Sequence, residues 1–179
     1  YGGIVELPAG EPGDDSLCAR PIAPADHWDL RVIVAVTAIG RKSIGSRAAM
    51  GAARQSSPYY DAWIDHAHAS AVAIREALLL KDFETLAPLV EQSFLAMHGV
   101  GMAAIPSILY WQPGSVAVIT AIRALRAAGL EFCATMDAGP HVKAICTASA
   151  ADEVRESLGA VEGVLEIIEA RIGPGVEVA

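Results

Sequence analysis

Basic residues are scarce in this 179-residue chain: 13 lysines and arginines stand against 21 acids, a formal net charge of −8. With a pI near 5.0, charge-driven binding to nucleic acid is excluded, because no cationic surplus exists to neutralise phosphates. Cysteine is sparse too. Cys18, Cys133 and Cys146 form no CxxC pair and no even set, which argues against a disulfide framework and a zinc ribbon and fits a reducing cytoplasm. They read as small core or near-core residues. No apolar run reaches the roughly 18–20 residues of a membrane-spanning helix. The mean hydropathy of +0.39 therefore reflects alanine-rich helices, and no membrane partner is expected. No basic stretch precedes an apolar one at the start, so a signal peptide is not expected either. What is abundant is apolar side chain, 53% against 19% charged. That suffices for a buried core and argues against disorder.

Tyr1-Gly2-Gly3-Ile4-Val5-Glu6-Leu7 reads as a strand already under way, so the chain is expected to continue a longer polypeptide. Pro8, Gly10, Pro12, Gly13, Pro21 and Pro24 make residues 8–29 a loop or linker. Leu30–Val36 is a β-branched run and predicts a buried strand. A polar stretch from Gly40 to Ser46 opens a helix near Arg47–Gln55. Ser57 and Pro58 suit the start of a second helix, with Ile64, Ala67, Ala71, Ile74 and Leu78 on one stripe. Asp82 caps a third, which repeats Phe83, Leu86, Val90, Phe94 and Met97 and is expected to end at Gly99 and Gly101. A fourth begins at Gly114 and Ser115 and stops at Gly129, with Val118, Ile122 and Leu125 inward. Glu131–Met136 and Val142–Thr147 form strands around a Gly-Pro turn. A short helix over residues 150–158, capped by Ser149, and a strand over Val164–Ile172 follow. From residue 30 the order predicts an α+β sandwich, a ferredoxin-like antiparallel sheet with helices on one face. Residues 30–179 form this domain; residues 1–29 hold one strand of a preceding domain and a linker.

Asp137 stands at a strand end among Phe132, Cys133, Ala134, Met136 and Ala138. A carboxylate in apolar surroundings needs a partner. At a strand tip beside a tight turn it can serve as a base aimed into a cleft. It can equally cap its own turn, and the residue types alone leave both readings open. Arg41-Lys42-Ser43-Ile44-Gly45-Ser46-Arg47 places cations and hydroxyls before a helix, where free N–H groups favour an anion. It is not a Walker loop, and a capped helix with solvated charges is the plainer reading. His66, His68 and His98 match no metal-ligand spacing and read as exposed or satisfied histidines. Without a GxSxG elbow, the serines do not point to a hydrolase.

Several segments, in order, resemble the C-terminal half of the mevalonate diphosphate decarboxylase family, within the GHMP kinase superfamily. Tyr1-Gly2-Gly3-Ile4-Val5-Glu6 is similar to that family's strand after its Ser/Arg segment. Arg41–Met50 is similar to its Lys-Lys-x-x-Ser-Ser-x-x-Gly-Met stretch, and Ser57-Pro58-Tyr59-Tyr60 to a helix start. Met97-His98-Gly99 and Pro106–Trp111 resemble its His-Ala-Thr and Pro-Pro-x-x-Tyr pieces. Met136-Asp137-Ala138-Gly139-Pro140-His141 matches its Asp-Ala-Gly-Pro-Asn motif closely. The Asp-Ala-Gly-Pro turn favours the decarboxylase branch over the simple kinases, which carry a glycine-rich loop there.

The resemblance implies ATP-dependent decarboxylation of mevalonate 5-diphosphate to isopentenyl diphosphate in the cytoplasm, with ATP and Mg2+. It implies Asp137 as the carboxylate that orients or deprotonates the hydroxyl, and Ser46, Arg47 and Lys42 as ligands of the substrate phosphate. His98 and Tyr110 would shape the cleft. The nucleotide loop would lie upstream of Tyr1, on a ribosomal protein S5-like N-terminal domain. The chain is then expected to be inactive without that half, supplied as a separate or cleaved chain, and to form a homodimer. Three departures stand out: Gly45 replaces a first serine, His141 an asparagine, and Ala103 an acid found in some members. They leave a phosphomevalonate decarboxylase acting on the monophosphate as an alternative, and the half expected upstream leaves a non-catalytic isolated domain as another.

Overall fold

The computed structural model describes residues 1–8, 10, 16–40 and 44–176. A two-stranded ribbon pairs β1 (Ile4–Glu6) antiparallel to β2 (Arg20–Ala23). Then come β3 (Leu30–Val36), α1 (Ser46–Ser56), α2 (Tyr60–Leu80), α3 (Phe83–Met102), α4 (Pro113–Ala127), β4 (Phe132–Thr135), β5 (Val142–Thr147), α5 (Ala151–Gly159) and β6 (Glu166–Arg171).

The main sheet has the order β4-β5-β3-β6, antiparallel throughout. Counted from β3, that is the ferredoxin-like arrangement expected from the sequence, with the α1–α4 stretch inserted between the first two strands. Strand alternation decides the faces. Ile33, Ala35, Phe132, Ala134, Val142, Ala144 and Cys146 point to one side and are closed over by Val118, Ile119 and Ile122 of α4 and Val154 and Leu158 of α5. This is the principal core. α3 stands along the β4 edge, where a Glu91 carboxylate oxygen accepts the Ala134 N–H at 3.2 Å and Arg126 at 2.9 Å. A bare edge strand invites foreign pairing; here a helix blocks it. From that position α3 serves both faces. Phe94 enters the principal core, while Phe83, Leu86 and Ala87 pack on Leu30 and Cys133 of the other face together with Ala77 of α2.

Several local expectations change. Part of the predicted 8–29 linker is strand β2, with Pro21 in it opposite Val5. Proline cannot donate to a ladder, but a two-stranded ribbon leaves each strand one unpaired side to accommodate it. Gly99 and Gly101 do not end α3, which continues to Met102. Neither has a positive φ, so neither forms the left-handed cap that stops a helix. Gly129, at φ +101°, does follow the end of α4. Ser149 does not cap α5; it lies in a 3-10 turn, Ala148–Ala150, that runs into the helix. On α2 the deeply buried positions are Ser70 and Ala77, whereas Ala71 is exposed. Cys133 and Cys146 are core residues, but Cys18 is exposed. Among the described residues no helix is long and apolar enough to cross a membrane.

Candidate functional site

The β4–β5 turn is fixed from three sides. Ser115, fully buried in the first turn of α4, donates its hydroxyl to the Pro140 carbonyl at 2.6 Å. Thr37, just after β3, donates to the same oxygen at 2.9 Å. The Thr37 N–H reaches Nδ1 of His141 at 3.3 Å. From α3, Nε2 of His98 bonds the Asp137 carbonyl at 2.8 Å. A carbonyl only accepts, so Nε2 carries the proton. His98 is only 5% exposed, and that burial lowers its pKa, a shift its bond to Asp137 partly opposes. It is thus a satisfied histidine, but inside a helix and at the site. Gly139 is required twice over. Its φ is +70°, and a Cβ there would lie 2.7 Å from the Met136 sulfur and 3.3 Å from Tyr110 Cβ.

With its backbone held this way, Asp137 presents its side chain, 69% exposed, and pairs with Nζ of Lys143 at 2.7 Å. It lines two adjoining cavities. The first, about 140 Å³, is walled by Ala49, Met50 and Ala53 of α1, Met97, His98 and Gly101 of α3, and Ile108 and Tyr110. Ser46 stands at its rim. The second, about 360 Å³ and more open, shares Asp137 and Met97 and is bounded by Trp63, Thr135 and Lys143.

α1 carries the anion-binding candidates. Gly45 is its N-cap, in extended conformation and without a side-chain cap. Ser46 opens the helix and faces the cavity; Arg47 is exposed and does not line it. The structure therefore brings Ser46 and Asp137 to one cavity and leaves Arg47 beside it. Lys42 lies outside the described residues. Ala49 and Ala53 seat the helix against Val100, Ala104 and Ile108. The Tyr110 hydroxyl donates to the Ile44 carbonyl at 3.1 Å; burial raises its pKa, so it stays protonated.

Sequence reasoning missed Thr37, Ser115 and Lys143. Lys143 was readable: Val142, Ala144 and Cys146 alternate inward, which puts residue 143 on the opposite face one position past the turn. Thr37 and Ser115 carried no local signal. Among the described residues no three His, Cys, Asp or Glu side chains converge as a metal site requires.

Residues 32–172 match the family model described as mevalonate 5-diphosphate decarboxylase C-terminal domain. A diphosphomevalonate decarboxylase from Ganoderma lucidum is 32% identical over 151 residues, 79% of this chain and 38% of that protein. The crystal structure of mevalonate diphosphate decarboxylase from Staphylococcus aureus superposes with a TM-score of 0.90 at 29% identity, over 99% of this chain and 54% of that one. A structure of MDDEF in complex with MVAPP, AMPPCP and magnesium gives 0.80 at 31% identity, over 89% and 49%. The chain thus spans well under two thirds of the length of these relatives.

Proposed function

The chain belongs to the mevalonate 5-diphosphate decarboxylase family, and from that premise we propose that it supplies the C-terminal half of a diphosphomevalonate decarboxylase. The reaction assigned to the complete enzyme converts mevalonate 5-diphosphate and ATP to isopentenyl diphosphate, ADP, phosphate and carbon dioxide. One observation carries the reading: Asp137 and Ser46, distant in sequence, line a single cavity whose other walls are apolar apart from His98 and Tyr110.

Chemistry assigns the parts. The Asp137 carboxylate accepts the proton of the substrate's tertiary hydroxyl as that oxygen takes up a phosphoryl group. Ser46 and Arg47 hold the substrate phosphate at the start of α1, where free N–H groups add to hydroxyl and guanidinium. Lys42 is assigned to the same anion. Ala49, Met50, Ala53, Met97 and Ile108 face the hydrocarbon part of the substrate and exclude water. His98 and Tyr110 shape the cleft. His141, whose ring takes the Thr37 N–H, belongs to the turn rather than to a phosphate. The diphosphate is the substrate in this reading, in line with the relatives' names and with MVAPP in the MDDEF complex.

At about 140 Å³, the first cavity is smaller than the roughly 300 Å³ of small-molecule sites. It accommodates the reacting centre and not the whole substrate. The AMPPCP and magnesium of the MDDEF complex support ATP and Mg2+ for the complete enzyme. Among the described residues no His, Cys, Asp and Glu cluster fits a metal ion, and no step is drawn through Mg2+; the ATP-binding loop is assigned to the length of the relatives that this chain does not span. Residues 1–29 are assigned to the end of an S5-like domain and its linker, and residues 30–179 to the GHMP-type domain. A match beginning at residue 32 supports that division. A cytoplasmic homodimer completes the reading.

The test is intact mass under denaturing and native conditions, followed by ATP-dependent carbon dioxide release from mevalonate 5-diphosphate. The expected result is turnover when the N-terminal portion is present, on the same or a companion polypeptide, and none from the 179 residues alone. Absence of turnover from the complete assembly, or an equal rate with the monophosphate, overturns it.

A further inference from the structure

We propose that Lys143 is a positioning residue for the Asp137 carboxylate, holding it anionic and aimed as substrate displaces its water. This rests on the assignment of Asp137 as base. The register places Lys143 opposite Thr135 of β4 and Val34 of β3, on the sheet face away from the α4–α5 core. It approaches Asp137 from the second cavity, whereas Ser46 and the apolar wall belong to the first. Substrate entering the first cavity therefore does not need to displace the ammonium.

The pair is not needed to build the turn. His98, Thr37 and Ser115 already hold its backbone. With 69% of the Asp137 side chain and 30% of the Lys143 side chain exposed, solvent screens the pair, and such pairs add little to stability. Its consequence appears when the site fills. A carboxylate covered by Met50, Met97 and Ile108 loses water on that side, which by itself favours its protonated, unreactive form. A cation on the far side opposes that change and strengthens as the surroundings dry. Among the described residues, the other titratable or charged side chains of this region are His98 from α3 and Tyr110 after it, with Arg47 on α1 outside the cavity lining. His98 addresses the carbonyl and Tyr110 the Ile44 carbonyl.

The experiment compares Lys143→Met with Lys143→Arg. In the complete enzyme, the Met variant is expected to lose about tenfold to a hundredfold in kcat, a share of the 10²–10⁴ that a positioned base contributes. KM should change little, melting temperature should not move, and the acid limb of kcat should shift to higher pH. Arg should recover most of the rate and the original limb. A rate unchanged in Lys143→Met, or a loss matched by lower melting temperature and not rescued by Arg, overturns the proposal. Carboxyl 13C titration of Asp137, with mevalonate 5-diphosphate present at saturation and ATP withheld, separates the two readings. A higher Asp137 pKa in Lys143→Met, in a parent assembly without turnover, defeats the proposed function while leaving the pair intact; an unchanged Asp137 pKa defeats the pair.

Discussion

The β4–β5 turn and the start of α1 face each other across one cavity, yet they are built on opposite plans. The turn receives hydrogen bonds from α3, α4 and the end of β3, and its glycine admits no other residue without strain. The start of α1 has Gly45 without a side-chain cap and, among the described residues, with nothing packed where a side chain would go, and Ser46 and Arg47 are exposed. The difference fits the two tasks proposed for these regions. A base must hold its reacting atom within a fraction of an ångström before the substrate arrives. An anion site at a helix start already has its N–H groups aligned, and long side chains close on the charge when it binds.

The comparison breaks first, and by the most, at Asp137. Asp137→Asn keeps the side chain's shape and removes the carboxylate proposed as base. Turnover should fall by about 10²–10⁴, while the melting curve stays close to the parent's. Loss of folding without a specific loss of rate would return Asp137 to the turn cap that sequence alone left open. On the other side, Arg47→Ala should raise KM for the phosphorylated substrate about tenfold to a hundredfold, from the ~1.5–3 kcal/mol of a charge-assisted hydrogen bond. Its kcat and melting temperature should be unaltered. A kcat defect instead would mean that Arg47 touches the reacting centre.

Paired glycine substitutions sharpen the contrast. Gly139→Ala forces φ +70° on a side chain and drives a Cβ toward the Met136 sulfur, a cost of ~1–3 kcal/mol. At ~2–4 °C per kcal/mol for a domain of this size, melting should fall by several degrees. Gly45→Ala, at φ −71° and with none of the described residues within 4 Å of the added Cβ, should leave melting nearly unchanged. Ser115→Ala is smaller than Gly139→Ala. It removes one of two hydroxyls on the Pro140 carbonyl, and the Thr37 hydroxyl remains, so about 1 kcal/mol is expected.

This asymmetry also explains what the sequence disclosed. Strands β3, β4 and β5 were legible because alternation and β-branching are local signals. So was Asp137, since an acid beside Gly-Pro at a strand end is conspicuous. Ser115 and Thr37 were not, because their partner is a carbonyl 25 and 103 residues away. Strand β2 was hidden by its proline, and the end of α3 by glycines that the helix absorbs without turning left-handed. Ser46 and Arg47 were flagged by residue type, but only the packing of α1 on α3 separates the one that lines the cavity from the one that does not.

The smallest effect tests whether the turn's support is itself neutral. Burial favours uncharged His98, so its pKa lies below the ordinary histidine value. The unfolded chain then takes up the proton first as pH falls, and stability drops with falling pH. The contribution of His98 is complete above about pH 6.5, the unfolded value, and erodes below it toward the folded pKa. His98→Gln retains an N–H for the Asp137 carbonyl but cannot be protonated. Its melting temperature should therefore be flatter than the parent's between neutral pH and about pH 5, after a small overall loss from the changed packing against Phe94 and Trp111. Parallel curves would mean that His98 accepts its proton without disturbing the turn, and the strict positioning attributed to α3 would then have to come from Ser115 and Thr37.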